Sequence, residues 1–186
     1  FGIIEPDSFL TIQNLKSILT SAAPLLIVAA GLTVVLVMAD FDLSIGAMIG
    51  LGGATAVVLM SKADVAWPLA IVVALLVGVA AGAVNGYLIA YLGGSSFIIT
   101  LAMTTVLIGV EFLLTDQETI FSGIAQGYAD IGQSRPLLDL NTQVYVAAVV
   151  SLLIWLLLEK SEIGRYMYAI GGNPEASRLA GVRIRE

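Results

Sequence analysis

Five apolar runs divide this chain, at about Ile18 to Ala39, Leu43 to Met60, Val65 to Leu92, Phe97 to Leu114 and Val144 to Leu158. Charged positions fall almost entirely between them, Glu111 being the exception. A hydrocarbon layer of roughly 30 Å is crossed by about 20 helical residues, so four of the runs are long enough to span it. The fifth reaches that length if Asn141 to Gln143 and Glu159 sit at the interfaces. None of the runs has the two-residue alternation of a barrel strand. The expected fold is therefore all-α, a polytopic transmembrane helical bundle of about five spans, with residues 1–186 forming part of a single transmembrane domain.

Val65 to Leu92 would reach about 42 Å as a straight helix and must tilt, bend or protrude. Within it Gly78, Gly82 and Gly86 share one face, as Gly46 and Gly50 do in the second run. Such spacing suits close approach of another helix, though glycine is also simply frequent in membrane helices.

Composition supports the membrane assignment. With 59 % hydrophobic and 12 % charged residues, the chain carries more apolar side chain than a soluble domain of 186 residues buries. The net charge of −6 is spread over loops and helix ends and forms no acidic block, and nucleic acid is not an expected partner. Cysteine and histidine are both absent, so disulfides, thiolate metal sites, histidine ligands and Ser/His or Cys/His nucleophile pairs do not arise. There is no phosphate-binding glycine loop followed by Lys and Ser/Thr. No catalytic residue, metal site or cofactor is expected, and the chain is not read as an enzyme.

Charge also orients the bundle. Of the eight Lys and Arg, five (Lys160, Arg165, Arg178, Arg183 and Arg185) follow the last apolar run. The positive-inside rule sets that end in the cytoplasm. Phe1 to Ser17, Ser61 to Asp64 and Thr115 to Thr142 then face outward, while Asp40 to Asp42 and Gly93 to Ser96 face inward. The segment Thr115 to Thr142 is expected to pack on the membrane surface, to fold partly back, or to dock or gate a solute-delivering protein. The start at Phe1 and the stop shortly after Gly181 suggest an internal piece of a longer protein.

Within the membrane, polar side chains need a reason. Asp40 and Asp42 lie between two apolar runs, where an ionised acid costs about 2.5 to 3.5 kcal/mol at bilayer centre on insertion scales. Asp42 suits an N-cap for a helix opening at Leu43, or a place on a solute path at a discontinuous helix. Asn85, inside the third run, bonds across helices or lines the path. Thr100, Thr104 and Thr105 are ambiguous, since threonine also bonds its own helix. Glu111, with Asp116 and Glu118, is assigned to the solvated outer mouth. Near the end, Asn173, Pro174 and Glu175 read as an N-cap, a first-turn proline and an acid at the positive helix end. They predict a short helix from about Pro174 to Ala180, stopped by Gly181 and preceded by a flexible Gly171-Gly172 pair.

Four segments taken together resemble a known family. They are Asp42-Leu43-Ser44-Ile45-Gly46, Val84 to Ala90, Phe97 to Met103, and above all Gly164 to Gly181. In this order they resemble inner-membrane permeases of bacterial ABC importers for ribose, xylose and related monosaccharides. The resemblance implies a permease that works by alternating access, pairs with a second permease copy as a homodimer or heterodimer, and binds cytoplasmic ATP-binding cassette ATPase subunits. It also implies that sugar arrives from a periplasmic solute-binding protein. Residues 159–186 would form the cytoplasmic coupling loop and residues 115–142 a periplasmic loop. Coupling to the ATPase would rest on Gly164, Arg165, Gly171, Gly172, Asn173, Pro174, Glu175 and Ala176. The translocation-path candidates are Asp42, Ser44, Asn85 and Thr100. Asp40 departs from the family pattern, which has a small or aliphatic residue there, and no role carries over to it. Rival readings are a related permease for branched-chain amino acids or nucleosides, an ion-coupled secondary transporter using Asp40, Asp42 or Glu111, and a passive channel.

Overall fold

The computed structural model describes residues 9–182; Arg183 and Arg185 of the basic tail lie outside them. Five helices are long and apolar enough to cross a membrane: α1 (Ile12–Val37), α2 (Ile45–Ala63), α3 (Trp67–Ala90), α4 (Ser96–Thr115) and α6 (Thr142–Lys160). Between the last two lies the short α5 (Gln126–Gln133), and α6 is followed by α7 (Glu162–Gly172) and α8 (Pro174–Leu179). No strand occurs among the described residues.

Caps explain where the helices depart from the apolar runs. α1 starts six residues before Ile18 because the Thr11 side chain accepts from Asn14 N at 3.1 Å. It ends in a Schellman-type turn, with Asp40 N reaching back to Val35 O and Ala39 held at φ 61°. α3 is shorter than its run, since Pro68 sits in its first turn and fixes the start. α6 gains length at both ends, with Asn141 capping it by accepting from Gln143 N at 3.1 Å.

α2 packs against both α3 and α4, and α1 packs against α6. The seam of the first group is built from small and medium side chains, with Ala47, Leu51, Ala81 and Leu107 buried together. A second cluster of Ala56, Met60 and Ala70 lies nearer the α5 end, closed by Trp67 and Tyr128. Large side chains such as Leu25 and Leu113 point outward, which is costly in water and favourable in lipid.

The segment between α4 and α6 folds back over the helix ends. A Cβ on Gly123 would lie 2.8 Å from Ser61 Cα, and one on Gly127 would lie 2.6 Å from Trp67 Nε1. Those glycines let the backbone lie directly on α2 and α3. The glycine faces of the spans behave differently. Gly78 approaches Met48 at 4.0 Å, whereas Gly46, Gly82 and Gly86 meet nothing within 4 Å among the described residues. The inward face of α3 is instead Ala81 and Asn85, one turn apart.

Candidate functional site

The turn between α1 and α2 lies along α4, because one row of hydroxyls on that helix bonds its backbone. Ser96, Thr100 and Thr104 are spaced four apart and so share a face. Phe41 N donates to Ser96 Oγ at 3.3 Å, Leu43 N donates to Thr100 Oγ1 at 3.1 Å, and Thr104 Oγ1 donates to Leu43 O at 3.0 Å. The bonded residues Phe41 and Leu43 are two apart, so the turn follows that helix inward by at most about 7 Å. Irregular backbone is tolerated at such depth only where its polar groups are satisfied by protein or water. Here side chains of a neighbouring helix supply the partners.

Ser44, not Asp42, is the N-cap of α2, and the helix opens at Ile45. Asp42 instead closes a local turn, its Oδ1 accepting from Ser44 N at 2.8 Å and from Ser44 Oγ at 2.6 Å. Asn85 completes the cluster from α3, its Nδ2 donating to Ser44 Oγ at 3.0 Å. The orientation of that amide follows from proton counting. Ser44 has one hydroxyl proton and gives it to Asp42, so Asn85 must approach with its N–H. Its Oδ1 is then buried without a donor, a cost of about 1 to 3 kcal/mol.

The four path candidates named from sequence therefore meet in one place. Asp42, Ser44 and Asn85 form a hydrogen-bonded chain, and Thr100 holds the adjoining Leu43 N–H. Ser44, Thr100 and Asn85 are 0 %, 1 % and 4 % exposed, so in this conformation the cluster is closed. Asp40 stands apart, its carboxylate without a hydrogen-bond partner among the described residues. Ser96 is the member that sequence reading missed and Thr104 the one it left ambiguous; their four-residue spacing with Thr100 was the available signal.

The helix pair after α6 is built just as locally. Ser161 caps α7 by accepting from Gly164 N at 2.9 Å, and a Cβ on Gly164 would collide with Leu158 O and Leu157 O. Only glycine allows this sharp corner. Arg165 lies on the α7 surface, donating to Ser161 O at 3.3 Å and pairing with Glu162 at 3.8 Å. The Gly171-Gly172 pair is the last turn of α7, not a flexible linker. A Cβ on Gly171 would collide with Val37 O, so α7 lies against the end of α1, whereas Gly172 has open space. Asn173 caps α8 by accepting from Ala176 N at 2.9 Å; Pro174 opens the helix, and Glu175 pairs with Arg178 at 2.6 Å. That pairing raises the Arg178 pKa above its usual value. α8 closes at Leu179 with Gly181 at φ 86°, within a residue of the expected helix.

At the opposite end of the bundle, Lys62 pairs with Asp116 at 2.5 Å and joins α2 to the end of α4. Lys16 and Arg135 both bind Asp139, at 3.3 and 3.2 Å, tying α1 to the segment before α6. The hydrogen bond from Arg135, then that from Lys16, holds the Asp139 carboxyl below its usual pKa of 3.8. Among the described residues no cluster of His, Cys, Asp and Glu is arranged to hold a metal.

Residues 14–186 match the family described as branched-chain amino acid transport system / permease component. The ribose import permease protein of Escherichia coli K12 is 36 % identical over 96 % of this chain and 56 % of the relative. The galactose/methyl galactoside import permease protein of the same organism is 31 % identical over 98 % of this chain and 59 % of the relative. Its D-allose transport system permease protein is 28 % identical over 100 % of this chain and 56 % of the relative. The chain thus spans less than two thirds of the length of these curated relatives. No solved structure matches.

Proposed function

The chain belongs to the permease family described as branched-chain amino acid transport system / permease component, and from that premise we propose that the whole protein is the transmembrane permease of an ATP-driven importer for a monosaccharide. Support for a sugar comes from the relatives, whose names specify ribose, galactose and allose and whose similarity runs over nearly all of this chain. The protein is multi-pass, with α7 and α8 proposed to be cytoplasmic and the α5 segment periplasmic. A periplasmic binding protein delivers the sugar, a second permease copy completes the path, and ATP is hydrolysed on a separate subunit.

One observation carries the mechanism: α7 lies against the end of α1, and that end leads straight into the turn that holds Asp42 and Ser44. In the proposed cycle, α8 is gripped by the ATPase and its motion passes through Gly171 to Val37, and so to the polar turn between α2, α3 and α4. Gly164 makes the corner rigid, Asn173 and Pro174 hold α8 in shape, and Arg165, Glu175 and Ala176 offer surface. Differential binding of the two ATPase states is what shifts the spans. Asp42, Ser44, Asn85 and Thr100 form a closed station on the path, which opens when the turn moves.

Radiolabelled uptake by the reconstituted complete system tests this. Accumulation of ribose, galactose or allose with ATP is the expected result. Accumulation of leucine and no sugar would overturn it in favour of the solute in the family's description.

A further inference from the structure

A cavity of about 530 Å³ opens between α2 and α4 at the α5 end, a size within the usual range of small-ligand pockets. Ala54 leaves the space on the α2 side, and Phe112, Gln117, Glu111 and Glu118 stand around it. Glu111 lies one turn inside α4, and its carboxylate occupies the volume that a side chain on Gly50 would fill, Oε2 being 2.8 Å from that Cβ position. No hydrogen-bond partner meets this carboxylate among the described residues. An ionisable group in a span, facing a cavity and without a protein partner, marks a candidate solute site.

We propose that this cavity binds one molecule of a neutral polyhydroxyl solute on its way into the membrane, with Glu111 as the acceptor for its hydroxyls. The chemistry of the lining selects the class. Carboxylates accept hydroxyl protons in pairs, and the Gln117 amide both donates and accepts. The half-exposed Phe112 ring offers an apolar face to the C–H side of a sugar ring. Two carboxylates and no Lys or Arg line the cavity, so an anionic solute meets only like charge. A zwitterionic amino acid would find no cation there for its own carboxylate. The α2 residue of the cavity nearest the buried turn is Gly53, nine residues from Ser44 and about 14 Å away at helical rise, so cavity and turn lie along the same helix. The inference rests on the importer reading and adds a loading site and a solute charge class to it.

The 186 residues contain no cysteine, so a thiol introduced among them is unique once any cysteine elsewhere in the full-length permease is replaced by serine. Ala54→Cys, or Thr119→Cys if the first variant does not fold, is introduced into the full-length permease in proteoliposomes without ATPase. Labelling by a small hydrophilic thiol reagent is then timed. D-ribose, D-galactose or D-allose is expected to slow it about fivefold at about four times the Kd, as simple occupancy dictates. Leucine and ribose 5-phosphate are expected to leave the rate unchanged. Adding Glu111→Gln is expected to abolish the sugar's effect while labelling persists. A cysteine that never labels would mean that another helix fills the space, and that overturns the proposal. No protection by any of these sugars up to about 100 mM, or equal protection by leucine, also overturns it. ATP-driven sugar uptake by the complete system, measured alongside, separates the two ideas: uptake without protection sinks this site alone, and absence of sugar uptake sinks the importer reading.

Discussion

Thr100 shows how much one hydroxyl decides. It donates to Ser96 O at 2.7 Å along its own helix, the ordinary habit of a helical threonine, and its lone pair also receives Leu43 N–H. Thr100→Val keeps the shape and strands that N–H, so stability is expected to fall by about 1 to 3 kcal/mol. Thr100→Ser should recover most of the loss, and thermal unfolding of the purified full-length permease compares the two. The glycines of α7 separate in the same way. Gly171→Ala is expected to destabilise by about 1 to 3 kcal/mol as its methyl meets the end of α1. Gly172→Ala, facing open space at the end of a helix, should be neutral or stabilising by up to about 1 kcal/mol. Equal melting temperatures for these variants would refute the packing of α7 on α1. Sequence marked Gly171 but misread its purpose, since a glycine that permits close approach and one that loosens a chain look the same in a string of letters.

At the scale of elements, α8 depends on its cap. Asn173→Ala removes the acceptor for Ala176 N and should cost the helix about 1 kcal/mol. Co-purification of the ATPase subunit with the full-length permease is expected to weaken, with sugar binding at the far end of the bundle untouched. The segment before α6 depends on charge. Because the native Asp139 pKa is lowered from 3.8, its two bridges contribute fully above that value and are lost as pH falls through the lower native one. Amide exchange at residues 134–141 should therefore accelerate, relative to a neutral-pH reference corrected for intrinsic rates, only in that acid window. Asp139→Asn should show the faster exchange already at neutral pH. Legibility differed between these elements. The Asn-Pro-Glu signal of α8 is local and was read within a residue, while α7 was missed because the Gly171-Gly172 pair was read as a flexible break.

For the whole molecule the decisive variable is the energy source. In proteoliposomes containing the complete system, sugar accumulation should stop when ATP is withdrawn and continue when ion gradients are collapsed. Transport that follows a proton or sodium gradient without ATP would favour the ion-coupled alternative and give Asp40, Asp42 or Glu111 another role. The packed group of α2, α3 and α4 and the pair α1 and α6 are joined through the turn after α1 and through the α5 segment. Motion applied at α7 is therefore expected to reach α2 through that turn.

The sequence alone determined the five spans and the short capped helix near the end, because apolar period and capping depend on neighbours within a few residues. It also named Asp42, Ser44, Asn85 and Thr100 as path candidates, without their mutual contacts. Only the tertiary structure decided that they converge, that the α1–α2 turn lies along α4, and that Gly171 seats on the end of α1. Those facts pair residues 41–44 with 96–104, and 171 with 37, and no rule of local chemistry fixes partners so far apart in the chain.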